Sequence, residues 1–144
     1  MGASMAGIIE WTHDAQCART DPRIALGEPR WGEDHLNGIV FQTDKEYDFF
    51  AAIAGVRSRF NKPPLIPLRG VPAHLSSPGR WCFEEFGYEI AGWLHLSEIE
   101  QAIRRGADPL LMGFELETAL ELMGRLVARL SDPHVRLVFA IESP

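Results

Sequence analysis

The strongest periodic signal lies between Phe114 and Leu130, where Leu116, Leu120, Met123, Val127 and Leu130 recur at spacings of three and four. Such spacing gathers them on one side of a helix. Glu117, Glu121, Arg125 and Arg129 fall on another face, with Glu121 placed four residues ahead of Arg125, the distance at which helical side chains meet. Asp132-Pro133 ends the helix, since proline has no N–H to continue the ladder. Beyond it, Val135, Leu137, Phe139 and Ile141 alternate against Arg136, Val138 and Ala140, the period of a strand. Because the second face is also mostly apolar, this strand is expected at the centre of a sheet, covered by helix on at least one side.

The rest of the chain reads less regularly. Ile8-Ile9-Glu10-Trp11 is a short apolar run that predicts an edge strand, and Gly38-Ile39-Val40-Phe41-Gln42 predicts a buried one. Between them, Thr20 to Gly38 reads as a loop punctuated by Pro22, Gly27, Pro29 and Gly32, long enough to be either mobile or functional. Thr43-Asp44-Lys45-Glu46 fits a capping box opening a helix to about Gly55, with Phe49, Phe50, Ile53 and Val56 facing the core. Asn61 to Pro78 holds five of the ten prolines and predicts a stiff, extended connection. Ser77-Pro78 then starts a short helix with Trp81, Phe83 and Phe86 on its apolar side, stopped by Gly87. Gly92 to Leu96 is a strand or turn leading into a second capping box, Ser97-Glu98-Ile99-Glu100, whose helix closes on Arg104-Arg105-Gly106. The order β, β, α, coil, α, β, α, α, β predicts an α+β fold: a single small domain, with a short mixed or antiparallel sheet and about four helices packed on it.

Composition agrees with one domain spanning 1–144. A chain of 144 residues with 46% hydrophobic and 24% charged positions can bury its own core. Met1 to Ser4 admits a reading as an added extension ahead of a natural start at Met5, and it stays outside the fold prediction. Cys17 and Cys82 form no spaced framework, no run approaches the ~20 apolar residues of a membrane span, and no basic leader precedes an apolar stretch. The expectation is a cytoplasmic protein with reduced thiols and no membrane partner.

Charge changes the picture further. The net charge of −6 disfavours nucleic acid as a partner. Yet Phe49 to Phe83 contains no acid, and Arg57, Arg59, Lys62, Arg69 and Arg80 give it +5, leaving −11 for the remainder. Arg57, Arg59, Lys62 and Arg69 are therefore an anion-binding candidate, with His74 as acid or base, because arginine's planar fork suits carboxylate or phosphate. The competing expectation is that these cations pair with the protein's own carboxylates and clamp the loop.

Other chemistry has thin support. The chain has no P-loop, dinucleotide glycine fingerprint, G-x-S-x-G elbow or H-E-x-x-H pair, and its five histidines are scattered singly. Neither metal nor cofactor is expected. Cys82, between Trp81 and Phe83, reads as a small buried hydrophobe, and Glu84-Glu85 as a solvated helix side.

Three spaced motifs, Tyr47-Asp48-Phe49-Phe50-Ala51-Ala52-Ile53-Ala54-Gly55-Val56-Arg57, Pro67-Leu68-Arg69-Gly70-Val71-Pro72 and Gly92-Trp93-Leu94-His95-Leu96-Ser97-Glu98-Ile99, occur in this order. Together they resemble a family of bacteriophage and prophage proteins of unassigned activity. The resemblance covers Tyr47 to Ile99 and, more weakly, the C-terminal strand. Relatives often begin with Cys-Asp-Ile-His and carry Gly-His-Ser-His before the tryptophan, where this chain has Ala6-Gly7-Ile8-Ile9-Glu10 and Tyr88-Glu89-Ile90-Ala91-Gly92. Any chemistry those histidines perform is therefore not expected here. What the resemblance implies is a phage context.

The resulting expectation is a non-catalytic accessory protein that binds a host protein in the bacterial cytoplasm, in the manner of an anti-CRISPR modulator of host defence. Trp31, Glu33 and Asp34 in the long loop are candidate partner-binding residues, aromatic and acidic. The alternative is a small enzyme or sensor for a phosphorylated or carboxylated small molecule held at Arg57, Arg59 and Arg69. A weaker idea, a DNA mimic, would need regularly spaced surface carboxylates.

Overall fold

A computed structural model describes residues 2–13, 36–57, 62–86, 90–105 and 112–143. The elements follow the order expected: β1 (Ser4–Trp11), β2 (Asn37–Asp44), α1 (Tyr47–Ala54), α2 (Ser77–Phe86), β3 (Ile90–Leu94), α3 (Leu96–Arg104), α4 (Phe114–Leu130) and β4 (Val135–Glu142), with a short 3-10 turn, Asp132–His134, before the last strand. The strands form one antiparallel sheet in the order β2-β1-β4-β3. The fold is α+β, a single small domain.

Strand order corrects two expectations. β1 is not an edge but lies between β2 and β4, and its eight residues are nearly all buried. β2, expected to be buried, is the half-exposed edge. The apolar run that looked short at Ile8 extends back to Ser4, and Ala3 is buried, with its carbonyl accepting from the Lys45 N–H. Ala3 and Ser4, set aside from the fold prediction, are thus structural.

Helices cover both faces. On the first face, Phe49, Phe50 and Ile53 of α1, Ile99 of α3 and Leu116, Ala119 and Met123 of α4 close on Met5, Ile9, Leu137, Phe139 and Ile141. On the second, Cys82 and Phe83 of α2 close on Ala6, Ile8, Trp93, Val138 and Ala140. The alternation of β4 explains this sidedness: odd positions face three helices and even positions face one, so neither face can be polar. Glu121 and Arg125 do meet, 3.8 Å apart on the exposed side of α4.

The helix starts differ from the boxes read in sequence. Thr43 is buried within β2, opposite Met5, so α1 begins at Tyr47 after a turn at Lys45 with φ 60°. Glu46 instead accepts the Gly113 N–H at 2.6 Å, tying α1 to the start of α4. The third helix is entered from His95, not Ser97: Glu98 accepts the His95 N–H at 3.0 Å, while Ser97 bonds Asp132. In α2, Ser76 performs the capping one residue early, its hydroxyl accepting from Gly79. Trp81 is 54% exposed, because burying Cys82 and Phe83 turns it outward. Gly87 and Gly106 lie outside the described residues.

Gly7 shows how closely the first face is packed. A Cβ built there would stand 2.4 Å from the Phe41 ring, which lies across the glycine from the paired strand. Gly7→Ala is therefore expected to cost about 1–3 kcal/mol by overpacking. In a Phe41→Leu background the added cost should fall below half of that, a non-additivity readable by chemical denaturation of the four proteins in the cycle.

Candidate functional site

The proline-rich segment leaves α1 at Gly55, whose φ of 70° ends the helix, and runs to Ser76, where α2 begins. We refer to residues 62–76 as the strap. It carries the chain from the helix-rich face of the sheet, past β3, to the face covered by α2. Two arginine–glutamate pairs fix it.

Arg69 lies on the strap and meets Glu98 of α3 in a two-pronged contact, NH1 to Oε1 at 2.8 Å and NH2 to Oε2 at 2.6 Å. NH1 also donates to the Trp93 carbonyl of edge strand β3 at 3.2 Å, and the guanidinium lies 4.2 Å from the centre of the Trp93 ring. Parallel Arg–carboxylate bonds of this kind set direction as well as strength. Burial pushes the Glu98 carboxyl up, but the Arg69 hydrogen bond, the His95 N–H and the neighbouring positive charges outweigh it, so its pKa lies below the ordinary 4.5.

The second pair is fully buried. Glu10 of β1 and Arg136 of β4 stand opposite each other in the strand register, both 0% exposed. Arg136 Nε and NH2 donate to Glu10 Oε1 at 3.0 and 2.8 Å. Arg136 NH2 also donates to the His74 carbonyl, and Glu10 Oε2 accepts the Ser76 N–H at 2.6 Å. The carboxylate sits at the N-terminus of α2, where the helix dipole favours negative charge. Close approach here requires glycines: a Cβ on Gly79 would come within 2.8 Å of Glu10 Oε2, and one on Gly38 within 2.4 Å of the Ser76 hydroxyl.

The described anion-binding candidates fall in different surroundings. Arg69 is turned inward and paired with Glu98, whose carboxylate meets both arms of its fork, as the competing expectation of internal pairing had it. His74 has an exposed side chain, and its backbone carbonyl serves Arg136. Arg57 is exposed at φ 51°, bonded to Ser143 and lying 5.2 Å from the Tyr47 ring centre. Lys62 is exposed. Arg59, Cys17 and the partner-binding candidates Trp31, Glu33 and Asp34 lie outside the described residues. Cys82 is buried, and burial pushes its thiol pKa up, away from nucleophilic chemistry.

Neither Glu10 nor Arg136 stood out in sequence. The available signal was a single charge of opposite sign inside each of two apolar strands, a placement that demands a partner. Among the described residues no group of three or more His, Cys, Asp or Glu could hold a metal ion, and no helix is long and apolar enough to cross a membrane. What the fold and these contacts define is a small α+β scaffold whose most deeply placed charges brace a surface strap. Compared with known proteins, the chain matches no family model, no curated protein and no solved structure.

Two expectations follow. Removing one member of the buried pair, as in Glu10→Gln or Arg136→Met, should cost about 3–5 kcal/mol, and the double replacement should cost less than the two singles summed. For Glu98, the lowered folded-state pKa means that its ionised form adds stability above the unfolded value, and this is lost as pH falls through the folded value. Glu98→Gln should therefore destabilise by about 1–3 kcal/mol at pH 7 and reduce the acid-induced loss of stability below pH 4.5, read from urea titrations across pH.

Proposed function

We propose that this protein is a non-catalytic binding protein of phage or prophage origin, which engages a host protein through the strap between α1 and α2. The observation that carries this reading is the state of three strap side chains. Leu65, Leu68 and Val71 recur every third residue and remain 39%, 43% and 39% exposed, on a strap tied down at Arg69 and Ser76. Apolar side chains held out on a braced, proline-rich segment have little order left to lose on association, which is what protein recognition favours. The phage context rests on the three-motif resemblance, and a modulator of host defence is one role such a binder would serve.

The alternative reading, an enzyme or sensor for a phosphorylated or carboxylated small molecule, retains Arg57 and Lys62 at the surface. It loses Arg69, and no specific contact favours it.

The test compares immobilised wild-type protein with a Leu65→Asp/Val71→Asp variant against bacterial lysate, with captured proteins identified by mass spectrometry. A partner retained in stoichiometric amount by the wild type, and reduced at least tenfold by the variant at unchanged thermal stability, is expected. Equal capture by both proteins, or no partner at micromolar concentration, would count against the reading.

A further inference from the structure

Among the described residues β2 is an edge strand, and the chemistry of its outer side can be read from the register. Lys45 donates its N–H to Ala3, and the ladder continues with Ser4 opposite Asp44 through Trp11 opposite Asn37. Hydrogen-bonded positions alternate along an antiparallel pair, so Asn37, Ile39, Phe41 and Thr43 turn their backbone groups toward β1. Gly38, Val40, Gln42 and Asp44 turn theirs away from it. Among the described residues no strand pairs with that outer side.

Exposed edges are usually protected by lysine, proline, a bulge or an inward-pointing charge. From Asn37 to Thr43 there is no charged residue and no proline, and the pairing with β1 runs without interruption. Ile39, on this strand, is among the few large apolar side chains left exposed, at 43%.

We propose that the outer edge of β2 pairs antiparallel with the same edge of a second copy of this chain, forming a two-fold dimer with a continuous eight-stranded sheet. The sequence of the strand is complementary to its own reverse. A two-fold axis at Val40 sets Gly38 opposite Gln42 of the partner subunit, both with outward backbone groups, so the ladder closes in the same alternation as the existing one. The same axis sets Ile39 opposite Phe41 of the partner subunit, an aliphatic–aromatic pair of the kind that stabilises adjacent strands, and it does so twice. Asp44, the one charge on the strand, falls opposite Leu36 of the partner subunit, so no like charges face one another. A foreign peptide could use the same edge, but the match of this strand to itself, with no like charges opposed, favours the second copy.

Sedimentation velocity on the full chain, from micromolar to millimolar concentration, tests this. The expected result is a mass that rises with concentration to twice that of the monomer. Gln42→Pro removes an outward N–H while leaving the bonds to β1 intact, and Ile39→Lys puts a charge into the stretch from Asn37 to Thr43 that has none; each should weaken association at least tenfold without shifting the melting temperature. Because Ile39 is half exposed, that variant decides the matter if Gln42→Pro fails to fold. A wild type that stays monomeric throughout, or a dimer that survives Ile39→Lys, would overturn the proposal.

Discussion

The buried contact between Glu10 and Arg136 is the constraint on which the remaining structure turns. Two charges with no exposure to water are tolerated in a protein interior only when each is paired and hydrogen-bonded, and here the two central strands supply one partner each. The pair also reaches beyond the sheet. By accepting the Ser76 N–H and donating to the His74 carbonyl, it fixes where the strap ends and where α2 begins. α2 can then lay Cys82 and Phe83 onto the second face of the sheet, which encloses the same pair. Strand pairing, strap and helix position are thus parts of one arrangement, in which loss of the charge contact would leave an unpaired ion beneath α2.

Arg69 and Glu98 do for the middle of the strap what the buried pair does for its end. Their contact also shields a carbonyl of edge strand β3, since Trp93 is both the acceptor of one Arg69 bond and the ring beneath the guanidinium. The consequence for function is a division of labour. Of the cations that sequence alone offered as a binding site, Arg69 is taken up in bracing, while Leu65, Leu68 and Val71 of the braced segment stay exposed to solvent.

How much of this was legible in the sequence depends on the range over which each feature is determined. The order and number of elements were readable because they rest on local period and on proline and glycine; α4, with its 3-4 spacing, matches from Phe114 to Leu130. Strand position in the sheet was inverted between β1 and β2, because apolar content does not say which neighbour a strand will find. Both capping boxes misplaced their helix starts, since Thr43 was claimed by the ladder with β1, and Asp132, 35 residues from Ser97, claimed that hydroxyl. The acid-free cationic stretch was visible, but its neutralisation was not: Glu98 lies 29 residues from Arg69. The alternative of internal pairing, open at the level of composition, is the one Arg69 adopts.

The central claim, that the buried pair locks the strap to the sheet as one cooperative unit, is tested most directly by native-state hydrogen exchange at the Ser76 amide. This amide, which donates to Glu10, is expected to exchange only through global unfolding, with the same protection and denaturant dependence as the amides of β4. Exchange of Ser76 through a low-energy local opening, at a rate unrelated to that of the β4 amides, would contradict it.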